Sequence, residues 1–173
     1  MRTHSLISGL FLSVGILGMA QTTPLAQADL LNSSGAILGK ATFTENLNGV
    51  EVALGVRGLE PGYHGIHIHQ TGSCEPPDFA SAGGHFNPTG KVHGLKNPAG
   101  PHAADIPNLL VNPDGTASAV FVLPLVTLGE GDNSLFKEGG TALVIHAGPD
   151  DQVTDPAGNA GDRVACGVIK ALP

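Results

Sequence analysis

Short runs in which apolar and polar residues alternate occupy much of the chain after its first twenty residues. Alternation with a period of two is typical of strands that bury one face. Turn sequences rich in Gly, Pro and Asn separate the runs, for example at residues 47–49 and 112–115. The runs are KATFTE, VEVALGV, GIHIHQ, TASAVFVL, TALVIH and RVACGVI. This pattern predicts an all-β antiparallel sandwich or barrel.

Helices have little room in this sequence. Beyond the apolar N-terminus, the longest stretch without Gly or Pro covers only residues 25–34. Helix interiors tolerate neither residue well, so we expect no long helix. Residues 71–108 and 147–162 interrupt the strand pattern, and we expect two long functional loops there.

Composition limits the classes of partner. The chain has 173 residues, a net charge of −7 and only eight Lys plus Arg. A nucleic acid or an anionic membrane would require a basic surface, so neither is an expected partner. The length fits one domain.

The first twenty residues resemble a secretory signal peptide, with Arg2 followed by an apolar run too short to span a membrane. Cleavage after Ala20 or after Ala28 fits the small-residue rule. We favour Ala20, because a strand-like alternation begins at Ala26 and the later cut would remove it. The mature domain would then cover residues 21–173, in the periplasm or another extracytoplasmic space. The alternative is a membrane anchor that is never removed.

Two cysteines, Cys74 and Cys166, allow one intramolecular disulfide. The bridge would close a loop of about 90 residues and stabilise the fold by about 4–5 kcal/mol in the chain-entropy model. Two buried free thiols are the alternative, and they are more common in the cytosol than outside it.

Histidines supply the candidate chemistry. His67 and His69 stand two residues apart on one predicted strand, so their rings share a face. His146 ends another apolar strand and could bring a third ring to the same place. An all-imidazole set of this kind suits Cu(II). Structural histidines that bind no metal are the alternative reading.

A second set of possible ligands lies in the first long loop. Three imidazoles and one carboxylate complete a tetrahedral Zn²⁺ site with no position left for water, which is typical of structural zinc. Four unrelated polar loop residues are the alternative. The set consists of His85, His93, His102 and Asp105.

With these residues identified, the chain resembles the secreted bacterial copper/zinc superoxide dismutases. The resemblance covers nearly the whole chain after the signal peptide, in family order and near family spacing. It implies an eight-stranded Greek-key β-barrel, related to immunoglobulin-like sandwiches, with one copper and one zinc per subunit. The motifs that carry it are GIHIH, SAGGHFNP, KVHG, PHAAD, LVIHA and GNAGDRVACGVI.

The resemblance also implies a role for each site residue. His85 would bridge the two metals. Arg163 would bind the superoxide anion beside the copper, and Asp150 would link the outer nitrogens of His67 and His93. Cys74 and Cys166 would form the family disulfide. The implied copper ligands are His67, His69, His85 and His146, and the implied zinc ligands are His85, His93, His102 and Asp105.

His64 is off the ligand phase of its strand, and we interpret it as structural. The implied activity converts superoxide to O₂ and H₂O₂, and the protein could be a homodimer. Two alternatives are a non-enzymatic copper/zinc-binding module on the same fold and a zinc hydrolase with an open metal position.

Overall fold

A computed structural model describes residues 25–173 as an all-β protein with a single turn of 3₁₀-helix at Ala80–Ala82. The signal peptide and cleavage at Ala20 lie outside the described residues. In this described part of the chain, no helix is long and apolar enough to cross a membrane. The strands are β1 (Ala26–Asn32), β2 (Ile37–Asn46), β3 (Gly49–Arg57), β4 (Gly62–His64), β5 (Ile66–His69), β6 (Leu109–Val111), β7 (Thr116–Leu123), β8 (Ala142–His146), β9 (Arg163–Val168) and β10 (Lys170–Ala171).

One curled antiparallel sheet carries most of these strands, in the order β5-β8-β9-β1-β2-β3-β7, with β10 paired to β1. β4 and β6 form a separate two-stranded ladder. Because β4 runs into β5 and β6 turns into β7, this ladder connects the two ends of the large sheet. The predicted barrel with antiparallel pairing is confirmed, and all six alternating runs lie in or overlap strands.

Ten short strands correspond to the eight predicted ones. Gly65 separates β4 from β5, and Ile169 separates β9 from β10. Gly65 donates its N–H to the carbonyl of Gly148 and accepts from the N–H of His146, both at 2.8 Å. A glycine fits here because an added Cβ would press against Ala160. At this break between β4 and β5, the backbone of Gly65 is therefore hydrogen-bonded to the start of the acidic loop, residues 147–162.

The barrel interior follows from the alternation. β3 shows strict alternation, with Val50, Val52, Leu54 and Val56 buried. β1 buries Ala26, Ala28 and Leu30 in the same way. Burying such apolar side chains stabilises a domain by about 25 cal/mol per Å² of apolar surface.

A second, smaller cluster packs on the outer face of the barrel. It joins Phe79 and Ala82 of the first long loop to Val144 of β8 and Cys166 of β9. Cys74 and Cys166 form a disulfide with a Cα–Cα distance of 5.6 Å. The predicted disulfide is therefore confirmed, and it fastens the loop to the outer face of the sheet.

The two predicted loops are present. The long loop, residues 70–108, connects β5 to β6, and the acidic loop connects β8 to β9. A third long connection, residues 124–141 between β7 and β8, was not predicted. The Glu45 carboxylate holds it by accepting the Leu128 N–H at 3.0 Å. Apolar residues are scattered through this connection, so the sequence did not show it as a loop.

Candidate metal centre

Strand β5 places two imidazoles on the outer face of the barrel. Ile66 and Ile68 point into the core, while His67 and His69 point the other way. All four residues are buried, because the two long loops cover this outer face. Burial disfavours the charged form of an imidazole and so keeps it neutral and able to bind a metal.

Four histidines converge at this point. One ring nitrogen from each lies within 4.8 Å of the others, in the group His67, His69, His85 and His146. His146 arrives on β8, which pairs directly with β5. The structure therefore brings together the four predicted copper ligands, from two strands and one loop.

The free edge of β5 positions the long loop. Phe86 donates its N–H to the carbonyl of Ile68 at 2.8 Å, next to a β-bridge between His69 and His85. A second bridge joins His67 to Asp105. An edge strand offers unpaired backbone groups, and here the loop satisfies them. Two loop residues are thereby set beside the histidines of β5.

A second group of ligand atoms lies behind the first. His67, His85, His93 and Asp105 each offer an atom within 4.8 Å of the others. The Asp105 Oδ1 lies 3.0 Å from His93 Nδ1 and 3.4 Å from His102 Nδ1. This grouping includes His67 and omits His102, in contrast to the predicted zinc set.

Hydrogen bonds to carbonyl oxygens fix two of the rings. His69 Nδ1 donates to the Gly83 carbonyl at 2.9 Å, and His146 Nδ1 donates to the Gly161 carbonyl at 3.0 Å. Since a neutral imidazole carries one N–H, each bond leaves Nε2 as the lone-pair nitrogen.

Asp150 lies outside the two ligand groups and orients the rings of His67 and His93. Its Oδ2 accepts from His67 Nε2 at 2.7 Å, and both carboxylate oxygens lie 3.1 Å from His93 Nε2. Asn108 holds the main chain of Asp150 through two 2.8 Å hydrogen bonds. Gly158 packs so closely that a Cβ there would overlap the carboxylate. His67 and His93 are thus left with Nδ1 as the lone-pair nitrogen.

The atoms left over test whether metals fit. Eight buried ligand atoms find no hydrogen-bond partner among residues 25–173, and we call them the open atoms. Buried polar atoms are rarely left unpaired, so a group of eight indicates missing partners. The open atoms are His67 Nδ1, His69 Nε2, His85 Nδ1, His85 Nε2, His93 Nδ1, His102 Nδ1, His146 Nε2 and Asp105 Oδ1.

Two metal ions would satisfy these atoms. They are imidazole nitrogens and one carboxylate oxygen, the ligand types that copper and zinc accept. His85 alone presents two open atoms, one on each side of its ring. The residues present therefore fit a bimetallic centre that shares this imidazole.

Burial sets the protonation of the first group. It lowers the pKa of His67 to about 3, of His69 to about 2 and of His146 to about 4. The same desolvation lowers the pKa of His85. These rings are neutral near pH 7, as metal ligation requires.

In the second group, two carboxylates determine the protonation of the neighbouring histidine. Burial alone would lower the pKa of His93, but the carboxylates of Asp105 and Asp150, one beside each ring nitrogen, raise it to about 9. Burial opposes ionisation of Asp105 and Asp150, and the surrounding histidines outweigh it and hold both carboxyl pKa values below their usual range. This side of the centre is negatively charged and attracts cations.

Arg163 stands at the start of β9, paired with His146 of β8. Its Nη1 donates to the Phe79 carbonyl and its Nη2 to the Gly83 carbonyl, both at 2.6 Å. Gly83 also accepts from His69, so one carbonyl connects the guanidinium to a ring of the first group. The arginine is half-buried, and it lies in a cleft with Asp78 and Asp162.

His64 makes different contacts, in agreement with its structural interpretation. Its Nδ1 lies 2.7 Å from the His146 carbonyl and its Nε2 lies 2.8 Å from the Glu60 carbonyl. Both nitrogens are occupied, so His64 offers no ligand atom.

Comparison with known proteins identifies the family. A sequence profile described as copper/zinc superoxide dismutase (SODC) matches residues 37–169. The chain belongs to this family. Superoxide dismutase (Cu-Zn) 2 of Aquifex aeolicus is 55% identical over 147 residues, which are 84% of this chain and 86% of that protein.

Solved copper/zinc superoxide dismutase folds resemble the structure. A SOD-like protein from Bacillus subtilis superposes with a TM-score of 0.80 at 39% identity, covering 85% of this chain and 97% of that one. The Cu/Zn superoxide dismutase from Brucella abortus gives 0.69 at 28% identity, covering 84% and 99%. The family uses one copper and one zinc, and the two histidine groups suit both metals.

Several orienting groups were not predicted. The carbonyls of Phe79, Gly83 and Gly161 carry no signal in a sequence, since every residue has a carbonyl. Asn108 could have been found, because it is a polar residue three positions after Asp105 in an apolar run.

Proposed function

We propose that this protein catalyses the dismutation of superoxide at a copper held by His67, His69, His85 and His146, next to a zinc held by His85, His93, His102 and Asp105. The observation that carries this proposal is the set of eight open atoms, which divides into two groups sharing His85. The family relationship supports the same reaction.

His102 is the preferred fourth zinc ligand over His67. In the described chain His67 has one open atom, Nδ1, because its Nε2 is bonded to Asp150. That single nitrogen serves one metal, and His69 and His146 lie beside it. His102 Nδ1 is open and lies 3.4 Å from Asp105 Oδ1. The division leaves every open atom with one metal.

The reaction converts two superoxide anions and two protons to one O₂ and one H₂O₂, with one electron passing from the first anion to the second. Copper bound at the first group would supply the one-electron carrier, cycling between +2 and +1, while zinc would supply a fixed positive charge. The protein must attract an anion, orient it and deliver protons.

Arg163 performs the first two tasks. Its two carbonyl bonds fix the guanidinium plane beside His146 and leave its other N–H groups for the anion. Charge-assisted hydrogen bonds from a planar guanidinium orient a small anion better than an ammonium does. Asp78 and Asp162, in the same cleft, offset part of its charge.

His85 performs the third task. Its Nδ1 lies 3.6 Å from Asp105 Oδ1, so a zinc held there would fix the ring while a proton is taken up and released at Nε2. This proton and a second one from water convert the reduced anion to H₂O₂. Asp150 keeps the neighbouring rings aligned during the transfer, since it bonds both His67 and His93.

The compartment is part of the proposal. We expect cleavage after Ala20 and export to the periplasm or another extracytoplasmic space. Ala26 and Ala28 are buried in β1, so a cut after Ala28 would remove part of a paired strand. The Cys74–Cys166 disulfide fits an oxidising environment.

The decisive experiment combines metal analysis with a superoxide assay on the purified protein. We expect one copper and one zinc per chain, and loss of activity when copper is removed. Zinc without copper, together with ester hydrolysis, would favour a hydrolase. Both metals bound without superoxide turnover would favour a metal-binding module.

A further inference from the structure

The long loop and the acidic loop meet along a seam beside the second group of ligand atoms. Lys96 donates its N–H to the Gln152 carbonyl at 3.0 Å, and the Asn97 side chain donates to the Val153 carbonyl at 3.0 Å. Gly94, with φ of 110°, packs so closely that a Cβ would overlap the Gln152 carbonyl. The chain that follows His93 therefore packs directly against the acidic loop.

Asp155 stands at this seam and faces two histidines. Its Oδ1 accepts the main-chain N–H of His93 at 2.8 Å. The same oxygen lies 3.9 Å from Nε2 of His102. The Asp155 side chain is 54% exposed, whereas the His102 side chain is 6% exposed. One carboxylate oxygen thus contacts the backbone of one proposed zinc ligand and faces the ring of another.

Each of these two histidines has a carboxylate near its outer nitrogen, at 3.1 Å for His93 and at 3.9 Å for His102. His93 Nε2 faces Asp150. If Nδ1 of His102 binds zinc as proposed, its Nε2 carries the hydrogen, and this nitrogen lies 3.9 Å from Asp155 Oδ1. A carboxylate behind a ligating imidazole fixes the ring and makes the ligating nitrogen more basic.

We propose that Asp155 is a positioning residue for zinc, acting on His93 through its backbone and on His102 through the ring. The distance to His102 is too long for a direct hydrogen bond, so that part of the effect is electrostatic. The proposal rests on the zinc assignment above and adds a second outer carboxylate to Asp150.

Three variants separate the two contacts from general loosening of the loop. Asp155→Asn keeps an oxygen for the His93 N–H and removes the charge. Asp155→Ala removes both. Asp151→Asn is the matched control, because Asp151 lies in the same loop and its carboxylate caps that loop by accepting from Val153, Thr154 and Asn159.

The measurement is the rate of zinc release from the fully loaded protein into a chromophoric chelator at fixed pH. We expect Asp155→Ala to release zinc about tenfold faster than wild type, near the lower end of effects for outer carboxylates. Asp155→Asn should fall between the two, and Asp151→Asn should match wild type. Visible spectra of the protein with Co²⁺ in place of zinc should shift only in the Asp155 variants.

Two results would overturn the proposal. Zinc release at the wild-type rate in Asp155→Asn would mean that the charge has no effect on His102. Equally fast release from Asp151→Asn and Asp155→Ala would assign the effect to loop integrity. A superoxide assay on the wild type tests the proposed function separately, since zinc release is measured without turnover.

Discussion

The two sides of the proposed metal centre, called here the copper side and the zinc side after the ions proposed for them, are built from different kinds of structure. On the copper side, His67 and His69 lie on β5 and His146 lies on β8, two strands paired in the large sheet. On the zinc side, His93, His102 and Asp105 all lie in the long loop. One side is held by a continuous backbone ladder, and the other by isolated backbone and side-chain contacts between loops.

This difference determines what each metal does for the fold. Strand residues keep their places through backbone hydrogen bonds that exist without any metal. The zinc side collects its open atoms around Asp105 Oδ1 in a loop rich in Gly and Pro. Such a segment requires the ion to hold one shape. We therefore expect copper ligands to govern activity and zinc ligands to govern stability.

The largest effect should come from the copper side. Replacing His146 by Ala removes one of the four nitrogens proposed to hold copper, and activity should be abolished. The fold should persist, because the rest of β8 remains paired on both edges. Superoxide turnover and circular dichroism measured together test this. Activity above a tenth of wild type at full copper loading would contradict the assignment.

The next largest effect on activity should come from Arg163, which lies in the cleft with Asp78 and Asp162. Arg163→Glu reverses the charge beside His146 and should slow turnover by roughly 10–100-fold, within the range of electrostatic steering. Arg163→Lys keeps the charge but cannot donate to Phe79 and Gly83 with a planar fork, so part of the rate should survive. Stopped-flow kinetics at unchanged metal content is the measurement. Equal rates in both variants would make Arg163 a purely structural residue.

A smaller effect on activity, with a larger one on stability, is expected from the zinc side. Asp105→Ala removes the oxygen that three histidine rings surround. Zinc content should fall, and the melting temperature should drop by about 2–4 °C for each kcal/mol lost. Calorimetry with metal analysis checks this. If zinc content and melting temperature were both unchanged, the loop would be held by something other than zinc.

The smallest effect is a pH dependence of the metal-free protein, with opposite signs on the two sides. The folded pKa values of His67, His69 and His146, about 3, 2 and 4, lie below the ordinary 6.5. The unfolded chain therefore binds more protons, and stability from these rings is lost as pH falls below 6.5. His93, with a pKa of about 9, contributes stability that is lost as pH rises from 6.5 through 9.

Melting curves of the metal-free protein between pH 4 and pH 9 test this expectation. The melting temperature should fall on both sides of an optimum near pH 6.5. His93→Gln should weaken the alkaline decline and leave the acid decline in place. A melting temperature that rises steadily with acidification would contradict the buried neutral state of the copper-side rings.

Much of this protein could be predicted from local patterns. Alternation located the strands, since a period of two appears wherever one face is buried. The spacing of His67 and His69 placed both rings on one face, and the structure agrees. The predicted disulfide, the two loops and the all-β class are likewise present. The loops and the all-β class depend on residue types and near neighbours, and the disulfide could be predicted because the chain has only two cysteines.

Other features depend on contacts between distant parts of the chain. The choice of Nδ1 or Nε2 is made by Asp150 for His67 and His93, and by the carbonyls of Gly83 and Gly161 for His69 and His146. The break at Gly65 follows from hydrogen bonds to Gly148 and His146. The sequence by itself determined which residues could bind metals and which stretches would be strands. Only the tertiary structure decided which atoms remain open and that Asp155 faces His102, because those outcomes depend on loops folding together over a barrel edge.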